Sequence, residues 1–135
     1  MPAYEWRRRP TRHFGFVWVP YATLALHGAG GRYREVSFQI DTGAVITLVR
    51  KSVAGMLGIR LEGGEALELG SVAGTPVPVF RHVVEVRLGN LPPFALPVGI
   101  ADSERVPNLL GRLGIFDRFT ATFDPTRHET RFEPI

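Results

Sequence analysis

Apolar and polar residues alternate along much of the chain with the two-residue period of half-buried strands. The clearest case is Arg32–Ile40: Arg34, Val36, Phe38 and Ile40 fall on one side, and Tyr33, Glu35, Ser37 and Gln39 on the other. Tyr21–His27 precedes it across Gly28, Ala29, Gly30 and Gly31, which reads as a hairpin with one buried face. Phe14–Leu26 is rich in aromatic and β-branched residues, and Pro20 divides it into two short strands. Further strand candidates are Val45–Val49, Ile59–Leu61, Ala66–Leu69, Val77–Leu88, Phe94–Ile100, Thr120–Phe123 and Thr130–Phe132. Gly70–Gly74 reads as the tip of a mobile hairpin between two of them. Helical spacing is confined to residues 50–58, ended by Gly58, and to Leu113–Phe119, where Leu113, Phe116 and Phe119 recur every three positions.

Composition agrees with this strand-and-turn pattern. The chain has 135 residues, 44% of them hydrophobic, with 15 Gly and 11 Pro against 2 Met, which suits one small all-β domain rather than a helical bundle. There is no Cys, which excludes a disulfide scaffold, a thiolate nucleophile and cysteine-held metals. The four His, at 13, 27, 82 and 128, lack the spacing of a zinc site, so neither a metal nor a cofactor is expected. No Ser sits in a Gly-x-Ser-x-Gly elbow. No apolar run approaches the roughly 20 residues of a spanning helix, and the N-terminus lacks an apolar leader. A membrane partner is therefore not expected, and cytoplasm is the default location.

The isoelectric point near 9.9 suggests a basic protein, but the excess is local. Arg7, Arg8, Arg9 and Arg12 oppose only Glu5 in residues 1–13, while the remaining bases and acids balance. The expected organisation is a basic N-terminal arm, residues 1–13, read as a solvated terminus, followed by a single domain over residues 14–135. A nucleic-acid partner is not expected, because the folded part carries no net charge.

One acid lies where apolar strands should be. Asp41 follows Phe38-Gln39-Ile40 and precedes Gly43-Ala44-Val45-Ile46. Taken locally, it is either an Asx-turn residue, accepting the N–H of Thr42 or Gly43, or a chemical group. Ile40-Asp41-Thr42-Gly43-Ala44 and Val45-Ile46-Thr47-Leu48-Val49 resemble the active-site segment of the retropepsin-like aspartic proteases. Asn108-Leu109-Leu110-Gly111-Arg112 resembles the stretch that opens that family's C-terminal helix, and Leu69–Gly74 lies where its members carry a flap.

The resemblance implies a closed small β-barrel with one short C-terminal helix over Leu113–Phe119. It implies an aspartic endopeptidase in which Asp41, Thr42 and Gly43 are catalytic. Thr42 would hydrogen-bond across the dyad and Gly43 would let the backbone approach the carboxylates. Ala44, Val45, Ile46, Leu109 and Leu110, with flap residues Ser71, Val72, Ala73 and Gly74, would bind an extended polypeptide. Gly111 and Arg112 would support the loop structurally. In viral members the matching Arg pairs with an acid just after Asp-Thr-Gly-Ala; here that position is Val45, so Arg112 needs another acceptor. Such chemistry takes two carboxylates sharing a proton, and only Asp41 among the four Asp lies in this setting. A homodimer is the simplest closure. The chain ends, Thr130–Ile135 or Phe14–Val19, are candidates for its interface. The alternative is a catalytically inactive relative that dimerises or binds peptides.

Overall fold

The first residues are strand rather than free terminus. β1 (Ala3–Glu5) and β2 (Arg7–Pro10) are followed by β3 (Phe16–Val19). β2 and β3 form a hairpin, Arg7 opposite Val19, and β1 lies antiparallel to the C-terminal strand. The computed structural model describes residues 1–68, 71–72 and 75–135, with backbone only at 71, 72 and 75.

Next come β4 (Tyr21–His27), β5 (Tyr33–Ile40), β6 (Thr47–Val49), α1 (Lys51–Leu57) and β7 (Glu65–Leu67). Two short pieces, β8 (Ser71–Val72) and β9 (Thr75–Pro76), pair antiparallel. β10 (Val79–Arg87), β11 (Phe94–Ala101), β12 (Leu109–Leu110), β13 (Phe119–Asp124) and β14 (Glu129–Pro134) complete the chain. The expected strand at Ile59–Leu61 is replaced by a 3-10 turn over Leu61–Gly63. There the Gly63 N–H reaches back to the Arg60 carbonyl instead of joining a ladder.

Six of these strands close on themselves in the order β11-β6-β12-β5-β4-β10, with β10 also pairing β11. Closure removes free edges and gives each strand one face to bury. The predicted alternation is realised: Val36, Phe38 and Ile40 of β5 are buried with Ala22, Leu24 and Leu26 of β4, Phe38 opposite Ala22 and Val36 opposite Leu24. Val84, Val86, Leu96, Val98 and Ile100 fill the far side. α1 covers the barrel with Val53, Ala54 and Leu57 and stops at Gly58, whose φ of 69° is the left-handed conformation that Gly adopts cheaply. Its N-terminus is held by the loop before β12, where Glu104 Oε2 accepts the Ser52 N–H at 2.6 Å and Asp102 pairs with Lys51. Among the described residues no helix is long and apolar enough to cross a membrane.

The short C-terminal helix expected at Leu113–Phe119 does not form. Residues 113–118 run through turns, with isolated bonds from the Phe116 N–H to the Arg112 carbonyl (3.0 Å) and from the Phe119 N–H to the Ile115 carbonyl (2.8 Å). Gly114 at φ 80° breaks the helical run, and Ile115 and Phe119 are buried while Leu113 is exposed. Among the described residues the single α-helix is α1.

Beyond the barrel, β14 lies between β1 and β13. Phe132 of β14 is fully buried and meets the rings of Tyr4 and Phe119 edge-on at 6.1 and 6.5 Å. The turn joining β13 to β14 is organised by Asp124. Its carboxylate is held below the ordinary aspartate range first by the Thr126 hydroxyl, with help from the Arg127 N–H and the Arg131 charge. A carboxylate lowered on folding contributes stability above its unfolded pKa, and that contribution is lost as pH falls through the folded value. Melting temperature is therefore expected to fall with acidification below about pH 4, and Asp124→Asn to show a shallower fall in a pH series of thermal melts.

Candidate active site

Asp41 owes its place to the end of β5. Because side chains alternate, the inward Phe38 and Ile40 leave Ser37 and Gln39 on the opposite face; Asp41 follows directly and is half-buried. The backbone here is tied to both neighbouring segments. The N–H groups of Gln39, Ile40 and Asp41 donate to the carbonyls of Asn108 (2.9 Å), Pro20 (3.0 Å) and Leu110 (3.0 Å). The chain then turns, with the Ala44 N–H reaching the Asp41 carbonyl at 3.2 Å and the Gly43 N–H reaching Asp41 Oδ1 at 2.9 Å. The Asx-turn is thus present, and it orients the carboxylate. A Cβ at Gly43 would lie 3.2 Å from Oδ1, crowding the oxygen it serves.

The second sequence signature is brought onto this loop from about seventy residues away. β12 runs parallel to β5, with Leu109 opposite Gln39 and Leu110 opposite Ile40. The Arg112 N–H donates to the Ala44 carbonyl (3.0 Å) and the Leu113 N–H to the Val45 carbonyl (2.9 Å). Arg112 Nη1 donates to the Thr42 carbonyl at 2.9 Å, the acceptor that Val45 could not supply. The guanidinium therefore holds the catalytic-type loop through its backbone rather than through an acid.

Between these contacts lies Thr47, fully buried, whose Oγ1 accepts the Gly111 N–H at 3.1 Å. Periodicity alone places Thr47 within the apolar strand Val45–Val49 and gives it no separate role. A hydroxyl flanked by inward apolar positions was the available signal, since a buried hydroxyl needs a partner. Thr47→Val keeps the shape and orphans the Gly111 N–H. It is expected to cost about 1–3 kcal/mol, measurable by denaturant unfolding.

The other candidates fall in different surroundings. Thr42 and Val45 are exposed, and Ala44, Ile46 and Leu109 are half-buried. Leu110 is fully buried in the barrel core and presents no surface to a ligand. Gly111 is buried, and Arg112 is exposed. Ser71 and Val72 belong to the short β8–β9 pair; Ala73 and Gly74, with Leu69 and Gly70, lie outside the described residues. The remaining Asp residues are engaged elsewhere: Asp102 with Lys51, Asp117 with the Gly114 N–H and Asp124 with Arg131. Among the described residues no group of three or more His, Cys, Asp or Glu is gathered as a metal site would require.

Residues 23–112 match the family model described as aspartyl protease. The chain belongs to that family, and its fold is that of the retropepsin-like proteases. A retropepsin-like aspartic protease from Rickettsia conorii superposes with a TM-score of 0.64 at 17% identity, covering 94% of this chain and 98% of that one. The retroviral protease-like domain of Ddi1 from Leishmania major gives 0.55 at 17% identity, over 86% and 94%. The EIAV protease complexed with the inhibitor HBY-793 gives 0.51 at 20% identity, over 70% and 82%. No curated protein matches the chain.

Proposed function

We propose that the chain is an aspartic endopeptidase whose catalytic pair is Asp41 and the partner's Asp41, brought together across the axis of a homodimer. The observation that carries this reading is one oriented carboxylate at the tip of a braced loop, with the other three Asp of the chain committed elsewhere. Hydrolysis needs two such groups in opposite protonation states. The ionised one takes a proton from water as it attacks the peptide carbonyl; the protonated one donates to the carbonyl oxygen and then to the departing amine. Thr42 is exposed with its carbonyl clamped by Arg112, which leaves the hydroxyl available to the partner loop.

Two exposed apolar residues flank the loop: Val45, at 57% exposure, and Leu113, at 47%. A second copy would cover them while pairing the acids. Part of the C-terminal candidate is already paired within the chain. β14 is already flanked by β1 and β13 of its own chain, so Glu129–Arg131 has no open ladder to offer a partner.

Sedimentation equilibrium, beside cleavage of a peptide library from about pH 4 to 7, tests the reading. A dimer that cleaves, and is blocked by a peptide inhibitor mimicking the tetrahedral transition state, supports it. An active monomer overturns the shared dyad. A dimer that binds peptides without cleaving them would instead be the inactive relative.

A further inference from the structure

Gln39 lies on β5 two residues before Asp41, which directly follows the strand, so their Cα atoms are within about 7 Å of one another. Beside Gln39 opens a cleft of 310 Å³ whose walls include Arg7, Arg9, Tyr21, Arg50 and Asn108. Among the described residues three arginines line it and no acidic residue does. None of the three forms an ion pair among the described residues.

The guanidiniums are held in place. Arg7 Nη2 donates to Ser37 Oγ at 2.8 Å, and its guanidinium stands 4.2 Å over the Tyr21 ring. Arg9 Nη2 reaches the Tyr21 hydroxyl at 3.4 Å. Arg50 Nε donates to the Val106 carbonyl at 2.8 Å, while its backbone N–H donates to Asn108 Oδ1. Each arginine spends one donor on positioning and keeps others for a ligand. Gathering three like charges costs free energy that an entering anion would offset. Arg7 and Arg9 come from β2, outside the residues the family model matches.

We propose that this cleft is a specificity subsite that receives an acidic side chain, Glu or Asp, of the polypeptide substrate within a few residues of the scissile bond. The proposal rests on the reading of the chain as a peptidase. The cleft adjoins the catalytic loop and converges three charges on one small volume, which fits one carboxylate. A nucleic-acid strand would call for a stripe of cations following its backbone, whereas the neighbouring Arg8 lies over Phe16 of its own hairpin. Arg and carboxylate pair through two parallel N–H···O bonds, a geometry the amide of Gln cannot reproduce.

The test uses the full chain and a cleaved peptide resynthesised with Glu, Gln or Lys at each position flanking the bond, reading kcat/KM. Wild type is expected to prefer Glu over Gln by about tenfold or more at one or two positions. The ratio should fall in Arg9→Gln and fall further toward one in Arg9→Glu, where the new acid pairs with the remaining arginines, while cleavage of the Gln peptide stays within a few fold of wild type, a selective loss that a misfolded variant cannot imitate. Equal cleavage of Glu and Gln peptides at every position would overturn the subsite while leaving the peptidase reading intact. Should wild type cleave nothing, the peptidase reading fails instead. Fluorescence anisotropy with a set of labelled extended peptides differing only in Glu or Gln at one position then decides the cleft, and equal binding of the Glu and Gln forms overturns it. Salt-sensitive binding of a single-stranded oligonucleotide that Arg9→Glu abolishes, without any Glu preference, also overturns it.

Discussion

Asp41→Asn is expected to lower kcat by at least about a thousandfold while the protein melts within a few degrees of wild type. The two halves of this prediction have separate causes. The amide oxygen of Asn can still accept the Gly43 N–H that orients residue 41, so the turn survives. What disappears is the shared proton, because an amide can neither deprotonate water nor protonate a leaving amine. A mixing experiment sharpens the result. With an about ninefold excess of the inactive variant, each wild-type protomer meets a wild-type partner roughly one time in ten, so activity per wild-type chain should fall to about one tenth. Activity that stays constant on mixing would show that one chain holds everything the chemistry needs, and the dimeric dyad would be abandoned.

Gly111→Ala is expected to be the most damaging methyl group that can be added to the loop framework. A Cβ there would stand 2.4 Å from both the carbonyl carbon and the oxygen of Ile46, and 2.9 Å from the Thr47 nitrogen. These are backbone atoms of the very segment that Leu110, Arg112 and Leu113 secure, so relief of the clash must break those bonds. A cost above about 3 kcal/mol follows, or a drop in Tm of roughly 10 °C or more. Gly55→Ala supplies the contrast. It sits exposed in α1 with nothing within 4 Å of its added methyl, and should be neutral or stabilising by up to about 1 kcal/mol. Equal melting of the two variants would mean that the contact between β12 and the Asp41 loop is looser than described.

Periodicity located most of the barrel because its cause is local: a strand with one buried face must alternate, and Tyr21–His27 and Arg32–Ile40 do so almost residue for residue. It failed where a neighbour, not the pattern, set the backbone. Leu113, Phe116 and Phe119 have helical spacing, yet Gly114 takes a left-handed φ, and an added Cβ would stand 2.6 Å from Leu96 Cδ1 of β11, a strand the pattern cannot place beside it. The basic arm looked like a solvated tail because its charges are unbalanced in sequence. In space, the Trp6 indole N–H donates to the buried Thr130 hydroxyl oxygen and β1 pairs with β14, stitching the arm to the far end of the chain.

By itself, the sequence determined the candidate catalytic acid and its immediate neighbours. An acid, a hydroxyl and a glycine in succession after an apolar strand define a turn whose bonds close within four residues. Only the tertiary structure decided what braces that turn: Arg112 on the Thr42 carbonyl, Thr47 under Gly111, and the arginines of β2 beside Gln39. Those pairings join residues tens of positions apart. Their partners are set by which strands the closed barrel makes adjacent, and the order of residues along the chain does not carry that information.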